Sequence, residues 1–261
     1  GDTVSYMALE DRSRRLAQAL RSRGVSAGDH IALLMENNRQ YLPVAWAAQR
    51  SGLYYTAINS HLRPGEVQYV LDDCGAVALV ASEAMADVVA GLDLARIPVR
   101  VAVGELPGFE RYDHVVAGAP RLAAEDEREG REMLYSSGTT GRPKGVRKQL
   151  PLTPLGDPSA TPVLLARALA AQGGGVGPGS VYLCPAPLYH SAPLVYSMSV
   201  QRLGATVVVM ERFDPRQCLV LFERYGVPHP QLVPTMFARR RRLPQDERER
   251  YDLSSLRFAI H

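Results

Sequence analysis

Apolar and polar positions along this chain switch between two periods. Leu9, Leu16, Ala17 and Leu20 recur at helical spacing up to Gly24, and Ile31-Ala32-Leu33-Leu34-Met35 follows as an unbroken apolar run. That order predicts a half-buried helix and then a strand covered on both faces. The couplet repeats. Tyr41, Leu42, Val44, Ala45 and Ala48 predict a helix up to Gly52, and Tyr54 to Ile58 a strand; Glu66 to Cys74 reads as a helix halted by Gly75, and Val77 to Val80 and Ile97 to Val103 as strands. Strands separated by helices pair in parallel through crossovers, so the expected fold is α/β, with stacked, mostly parallel sheets and flanking helices.

From Gly104 to Arg131 the pattern lapses. Pro107, Gly108, Pro120 and the run Glu125-Asp126-Glu127-Arg128-Glu129 predict a loop-rich linker. Pro151, Pro154, Pro158 and Pro162 keep a helix from starting early, and Gly173 to Gly179 marks a second connection. Beyond it, Val181 to Cys184 and Thr206 to Met210 read as strands, Leu194 to Leu203 as a helix, Asp214-Pro215 as a helix start, and Val227 to Val233 as an extended run. Leu256 to Ile260 is strand-like and meets the terminus without a closing turn, while Gly1 opens the chain without a methionine or a basic-then-apolar leader. Both ends predict a segment of a larger protein, with sub-lobes expected at 1–150 and 151–261.

Composition narrows the class. With 261 residues, 46% hydrophobic and 22% charged, the chain is expected to be globular. A net charge of +3 gives no nucleic-acid signature. Arg239-Arg240-Arg241-Arg242 is followed at once by Asp246-Glu247-Arg248-Glu249-Arg250 with no aromatics between, which predicts a solvated, salt-bridged helical face. Cys74, Cys184 and Cys218 are odd in number and far apart, and the six histidines are scattered, so neither a disulfide framework nor a zinc site is expected. No apolar run approaches the roughly 20 residues of a membrane span. A cytoplasmic protein with reduced thiols is the expectation, with peripheral membrane contact and oligomeric state left open.

The candidate chemistry lies in Tyr135-Ser136-Ser137-Gly138-Thr139-Thr140-Gly141-Arg142-Pro143-Lys144-Gly145-Val146. Glycines let amides close on an anion, hydroxyls donate further hydrogen bonds, and an ammonium adds a compact charge. An ordinary turn also gathers glycine and hydroxyl residues, but does not require this many hydroxyls and a lysine in this order after an apolar stretch. The loop is not of the Walker type: Pro143 has no N–H, and Gly145 has no hydroxyl for magnesium. Of 30 basic residues only Lys144 and Lys148 are lysine, so the cation in the loop departs from the habit of the chain.

A second candidate is Pro185-Ala186-Pro187-Leu188-Tyr189-His190-Ser191-Ala192-Pro193, between a strand and a helix. Open α/β sheets place ligands at the carboxyl ends of strands. His190 there is suited to orienting a carboxylate, to gating a pocket, or to capping the helix that follows. With no G-x-S-x-G elbow in the sequence, Ser191 beside His190 carries no hydrolase reading.

The loop from Tyr135 to Val146 resembles the signature of the adenylate-forming enzymes: acyl-CoA synthetases, luciferases and peptide-synthetase adenylation domains. The segment around Tyr189-His190-Ser191 resembles the histidine motif of fatty acyl-CoA synthetases, and Gln231 to Phe237 resembles the segment lining their acyl tunnel. Gly28-Asp29-His30-Ile31-Ala32 and Glu36-Asn37-Asn38 extend the likeness to the first hundred residues.

The resemblance implies a large N-terminal adenylation domain over residues 1–261, incomplete, without the small C-terminal domain. It also implies a two-step ligase that takes a small-molecule carboxylic acid, ATP with Mg2+, and coenzyme A. By motif, Ser136, Ser137, Gly138, Thr139, Thr140, Gly141 and Lys144 would hold the β and γ phosphates. His190 would border the acyl carboxylate as the catalytic candidate, and Tyr189, Ser191, Val233, Pro234, Thr235 and Met236 would contact the acyl substrate. Magnesium-binding, ribose-binding and catalytic-lysine elements lie later in family members, so little acyl adenylate is expected from these residues alone. A carrier-protein-loading or aryl-acid-activating domain, and a non-catalytic nucleotide-binding paralogue, are the competing readings.

Overall fold

A computed structural model describes residues 2–136, 143–171 and 176–260. The chain divides into two compact units, 1–160 and 161–261. The division falls after Ala160 because the proline-rich stretch is tied to the first unit: the Glu129 N–H donates to the Thr153 carbonyl at 2.8 Å, and the Gly156 N–H to Glu129 Oε1 at 2.8 Å.

In the first unit, α1 (Tyr6–Ser22) starts at Ser5, whose side chain accepts from the Ala8 N–H. β1 (His30–Leu34), α2 (Tyr41–Arg50), β2 (Tyr54–Ile58), α3 (Pro64–Cys74), β3 (Ala78–Ser82), the single turn α4 (Ala86–Val89) and β4 (Val99–Val103) follow in turn. α3 begins at Pro64, its first turn closed by the Glu66 carboxylate on the Arg63 N–H, and ends at Gly75, where φ is 65°. A left-handed residue there suits glycine, which has no Cβ to clash.

The stretch predicted as a linker is structured. It carries β5 (Glu110–Arg111), α5 (Tyr112–Ala117) and β6 (Arg131–Glu132). Tyr112, Val115 and Val116 are buried, so one short apolar stripe was enough to anchor it. β5-β4-β3-β1-β2-β6 form one sheet, parallel throughout. Every residue of β1, β2 and β3 is buried, which is why their sequences read as apolar runs and not alternations. β7 (Leu134–Ser136) and β8 (Lys144–Val146) make a separate antiparallel pair.

The second unit is smaller. α6 (Thr161–Ala171), β9 (Val181–Cys184), α7 (Ser191–Arg202), β10 (Thr206–Val209), α8 (Pro215–Tyr225), β11 (His229–Pro230), α9 (Pro234–Arg241) and the single turn α10 (Gln245–Arg248) succeed one another. The sheet is parallel with order β10-β9-β11. Leu183, Met210, Phe222, Val227 and Met236 centre its core.

The run Val227 to Val233 gives only the two-residue strand β11, because Pro228 and Pro230 have no N–H for a ladder. Their carbonyls are used instead: Pro228 accepts from the Arg257 N–H at 3.0 Å and Pro230 from the Ile260 N–H at 2.9 Å. The strand-like stretch Leu256 to Ile260 thus lies along β11 but forms only one bridge, between Gln231 and Ile260.

Candidate functional site

The signature loop hangs from a hairpin. β7 pairs with β8 so that Leu134 faces Val146, Tyr135 faces Gly145, and Ser136 faces Lys144. The first hydroxyl residue of the motif and its lysine therefore oppose each other where the strands end. Ser137, Gly138, Thr139, Thr140 and Gly141 lie outside the described residues. The Lys144 side chain is exposed.

Three contacts fix the carbonyls of both limbs below that mouth. Thr56 donates its hydroxyl to the Met133 carbonyl at 2.8 Å, Tyr54 donates to the Lys148 carbonyl at 2.8 Å, and Arg131 Nη1 donates to the Gln149 carbonyl at 3.0 Å. Arg147 lies over the Tyr54 ring, 4.6 Å from its centre. Behind Thr56, His30 Nε2 is 2.7 Å from the threonine oxygen. That oxygen already donates to Met133, so His30 must donate to it as the neutral Nε2–H form. Burial, with Arg147 adding repulsion, lowers the His30 pKa to about 4.

The chain reaches this hairpin over a buried polar foundation. Arg50, at the end of α2, donates to Glu127 at 2.6 Å and to Glu10 at 2.6 Å. Arg14 approaches Glu127 at 3.2 Å. Burial nevertheless holds the Glu127 pKa above the usual carboxylate range, outweighing both cations. Next to it, Gln49 donates to Glu129 at 2.5 Å and to the Gly130 carbonyl at 2.9 Å, and accepts from Tyr55 at 2.9 Å. The acidic run 125–129, read as part of a loop-rich linker, is in part the interior support of the hairpin, since Glu127 and Glu129 are buried. Charge alone gives no sign of this, because the partners lie about 77 to 80 residues away.

Gly145 has a role that composition does not reveal. A Cβ built on it would stand 2.9 Å from Tyr135 Cζ and 3.1 Å from its hydroxyl. This glycine therefore makes room for the Met133 methyl and for the tyrosine opposite, on the strand and not in the loop. A cross-strand reading of Tyr135 and Gly145 would have found it, had the hairpin register been known.

In the second unit, the other two motifs leave the carboxyl ends of adjacent parallel strands. His229 pairs with Tyr182, and Pro230 with Leu183, so residues 185–190 after β9 and 231–234 after β11 emerge on the same edge of the sheet. Tyr182 donates to Gln231 Oε1 at 2.8 Å and joins the two exits. His190 is the N-cap residue of α7, with no side-chain cap hydrogen bond, and its ring lies 4.5 Å from that of Tyr189. The ring is exposed, yet the protein around it lowers its pKa by desolvation. Ser191 opens α7 and is exposed. Val233 caps α9; Val233, Pro234 and Thr235 are exposed, whereas Met236 packs into the core. Among the described residues no cluster of histidine, cysteine and acidic side chains could hold a metal, and no helix is long and apolar enough to cross a membrane.

A parallel sheet of six strands, a second unit of parallel strands and helices, and a signature loop between paired strands together define an adenylate-forming fold. The AMP-binding enzyme family matches residues 1–260, and the chain belongs to it. It is 31% identical to 4-coumarate--CoA ligase 5 of Oryza sativa subsp. japonica, over all of this chain and 47% of that protein. It is also 31% identical to a feruloyl-CoA synthase of an Amycolatopsis species, over all of this chain and 49% of that protein. The chain thus spans about half the length of these curated relatives. A long-chain-fatty-acid CoA ligase structure from Rhodopseudomonas palustris, described as putative, superposes with a TM-score of 0.81 at 23% identity, covering 99% of this chain and 63% of that one.

Proposed function

We propose that this chain supplies the nucleotide-gripping and acyl-binding parts of an acid–CoA ligase. In the first step a carboxylate oxygen attacks the α-phosphorus of ATP, a P–O bond forms, and the bond to pyrophosphate breaks. In the second, the thiol of coenzyme A attacks the acyl carbon of the adenylate and AMP leaves. Attacking and leaving groups are both anionic, so the protein contributes position, N–H donors and cations. Ser136, Ser137, Gly138, Thr139, Thr140, Gly141 and Lys144 hold the β and γ phosphates, and Mg2+ enters with the nucleotide. His190, just past the carboxyl end of β9 and with its pKa lowered by desolvation, borders the acid, with Tyr189, Ser191, Val233, Pro234, Thr235 and Met236 around the acyl group.

The observation that carries this reading is the hairpin register, which sets Lys144 against Ser136 at the base of the signature loop. Calorimetry of the chain with ATP tests it, wild type against Lys144→Ala. Binding abolished or strongly weakened in the variant is expected; equal affinity overturns the assignment. Pyrophosphate release from the product of the whole open reading frame, given fatty acids, coumarate and ferulate, assigns the substrate class. The names of the two plant and bacterial relatives favour aryl acids as a second reading beside fatty acids. A carrier-protein acceptor would show as thioester transfer to a phosphopantetheine protein in place of coenzyme A. We place the protein in the cytoplasm, where Cys74, Cys184 and Cys218, all free and buried, remain thiols.

A further inference from the structure

We propose that Asp73 and Tyr135 form a positioning pair that presets the signature hairpin for nucleotide, a role resting on the nucleotide reading above. Tyr135 is the residue immediately before Ser136, and its hydroxyl donates to Asp73 Oδ2 at 2.5 Å. Asp73 stands in the last turn of α3, where Val67, Val70, Leu71 and Cys74 are buried against the sheet and Gly75 closes the helix. One end of the hydrogen bond is therefore on a fixed element, and the other is on the strand that enters the loop.

Two features separate this contact from routine packing. A carboxylate in the last turn of a helix opposes the negative end of the helix dipole, and the last turn of α3 holds Asp72 as well as Asp73 with no basic residue. A local rule broken in this way points to a compensating use, here the phenol. The second feature is Gly145: a Cβ there would crowd the Met133 methyl and stand 3.1 Å from the Tyr135 hydroxyl, the group that donates to Asp73, so the bare residue leaves the phenol its place.

Thr56, Tyr54 and Arg131 hold backbone carbonyls further from the mouth. Tyr135–Asp73 acts on the side chain adjoining the first loop serine. Fixing the strand before ligand arrives lowers the ordering cost that binding must otherwise meet.

The test measures ATP affinity by calorimetry and thermal midpoint in parallel for wild type, Tyr135→Phe, Asp73→Ala, Asp73→Asn and the Tyr135→Phe/Asp73→Ala double variant. Losing the hydrogen bond is expected to weaken ATP binding about tenfold in Tyr135→Phe and Asp73→Ala. Asp73→Asn still accepts from the phenol and is expected to stay within about twofold of wild type. The double variant should be no weaker than either single variant. Wild-type affinity in both single variants, additive losses in the double variant, or losses that follow thermal midpoint with no rescue by Asp73→Asn overturn the pair. Wild-type chain that binds no ATP overturns the nucleotide reading and this inference together. Binding that depends on Lys144 but not on Tyr135 overturns this inference alone.

Discussion

The ring of Tyr135 crosses Gly145 so closely that a Cβ on Gly145 would stand 2.9 Å from Tyr135 Cζ. Gly145→Ala must displace both the Met133 methyl and the ring, and is expected to destabilise the chain by about 1–3 kcal/mol. Gly130→Ala should cost at least as much. A Cβ there would meet the carbonyl oxygens of Leu53, Ala48 and Gln49 at 2.6, 2.8 and 2.9 Å, and backbone cannot swing away as a side chain can. Urea unfolding of the two variants checks the order; a Gly130→Ala protein as stable as wild type would contradict the packing.

Arg50→Met leaves Glu127 buried with only Arg14 beside it, and is expected to cost about 3–5 kcal/mol. Burial already outweighs the cations in setting the Glu127 pKa, so the ion pair offsets a cost more than it adds stability. Arg50→Met with Glu127→Leu should therefore recover part of the loss. Unfolding midpoints decide, and a double variant less stable than Arg50→Met would show the pair to be net stabilising.

His30 makes stability depend on acid. Its folded pKa of about 4 lies below the ordinary 6.5. The unfolded chain takes up the proton first as pH falls, so stability is fully present above 6.5 and drains between 6.5 and 4. The expected loss from pH 7 to pH 5 is roughly 2 kcal/mol. His30→Gln keeps a donor for Thr56 without titrating. The difference between the two stability–pH profiles isolates the histidine, and parallel profiles would remove it from this role.

His190→Ala, made in the product of the whole open reading frame, is expected to raise KM for the acid at least tenfold, an order-of-magnitude figure for one lost polar contact. ATP affinity should not change. Steady-state pyrophosphate release with varied acid and then varied ATP separates the two, and a shift confined to ATP would move His190 away from the acyl group.

Much of the fold was legible along the chain. Tyr54–Ile58 and Val181–Cys184 appear as strands at the predicted residues, α2 and α3 end near Gly52 and Gly75 as stop signals require, and α8 starts at Asp214-Pro215. Buried parallel strands write themselves as apolar runs, and helix ends write themselves as caps and glycines. The family signature was legible too, because its residue types stand in a particular order, and the family model matches the chain.

Contacts across distance were not. Asp73 and Tyr135 lie 62 residues apart, and Arg50 and Glu127 lie 77 apart. In sequence, Glu127 and Glu129 are charges in a polar run; folding places both in the interior, where desolvation and partners set their meaning. The order of residues determined strands, helices and the family signature, since those follow from local geometry, periodicity and residue type. Tertiary structure alone decided which carboxylates are buried, why Gly145 must be glycine, and what holds the hairpin, since each depends on groups that only chain closure brings within hydrogen-bond reach.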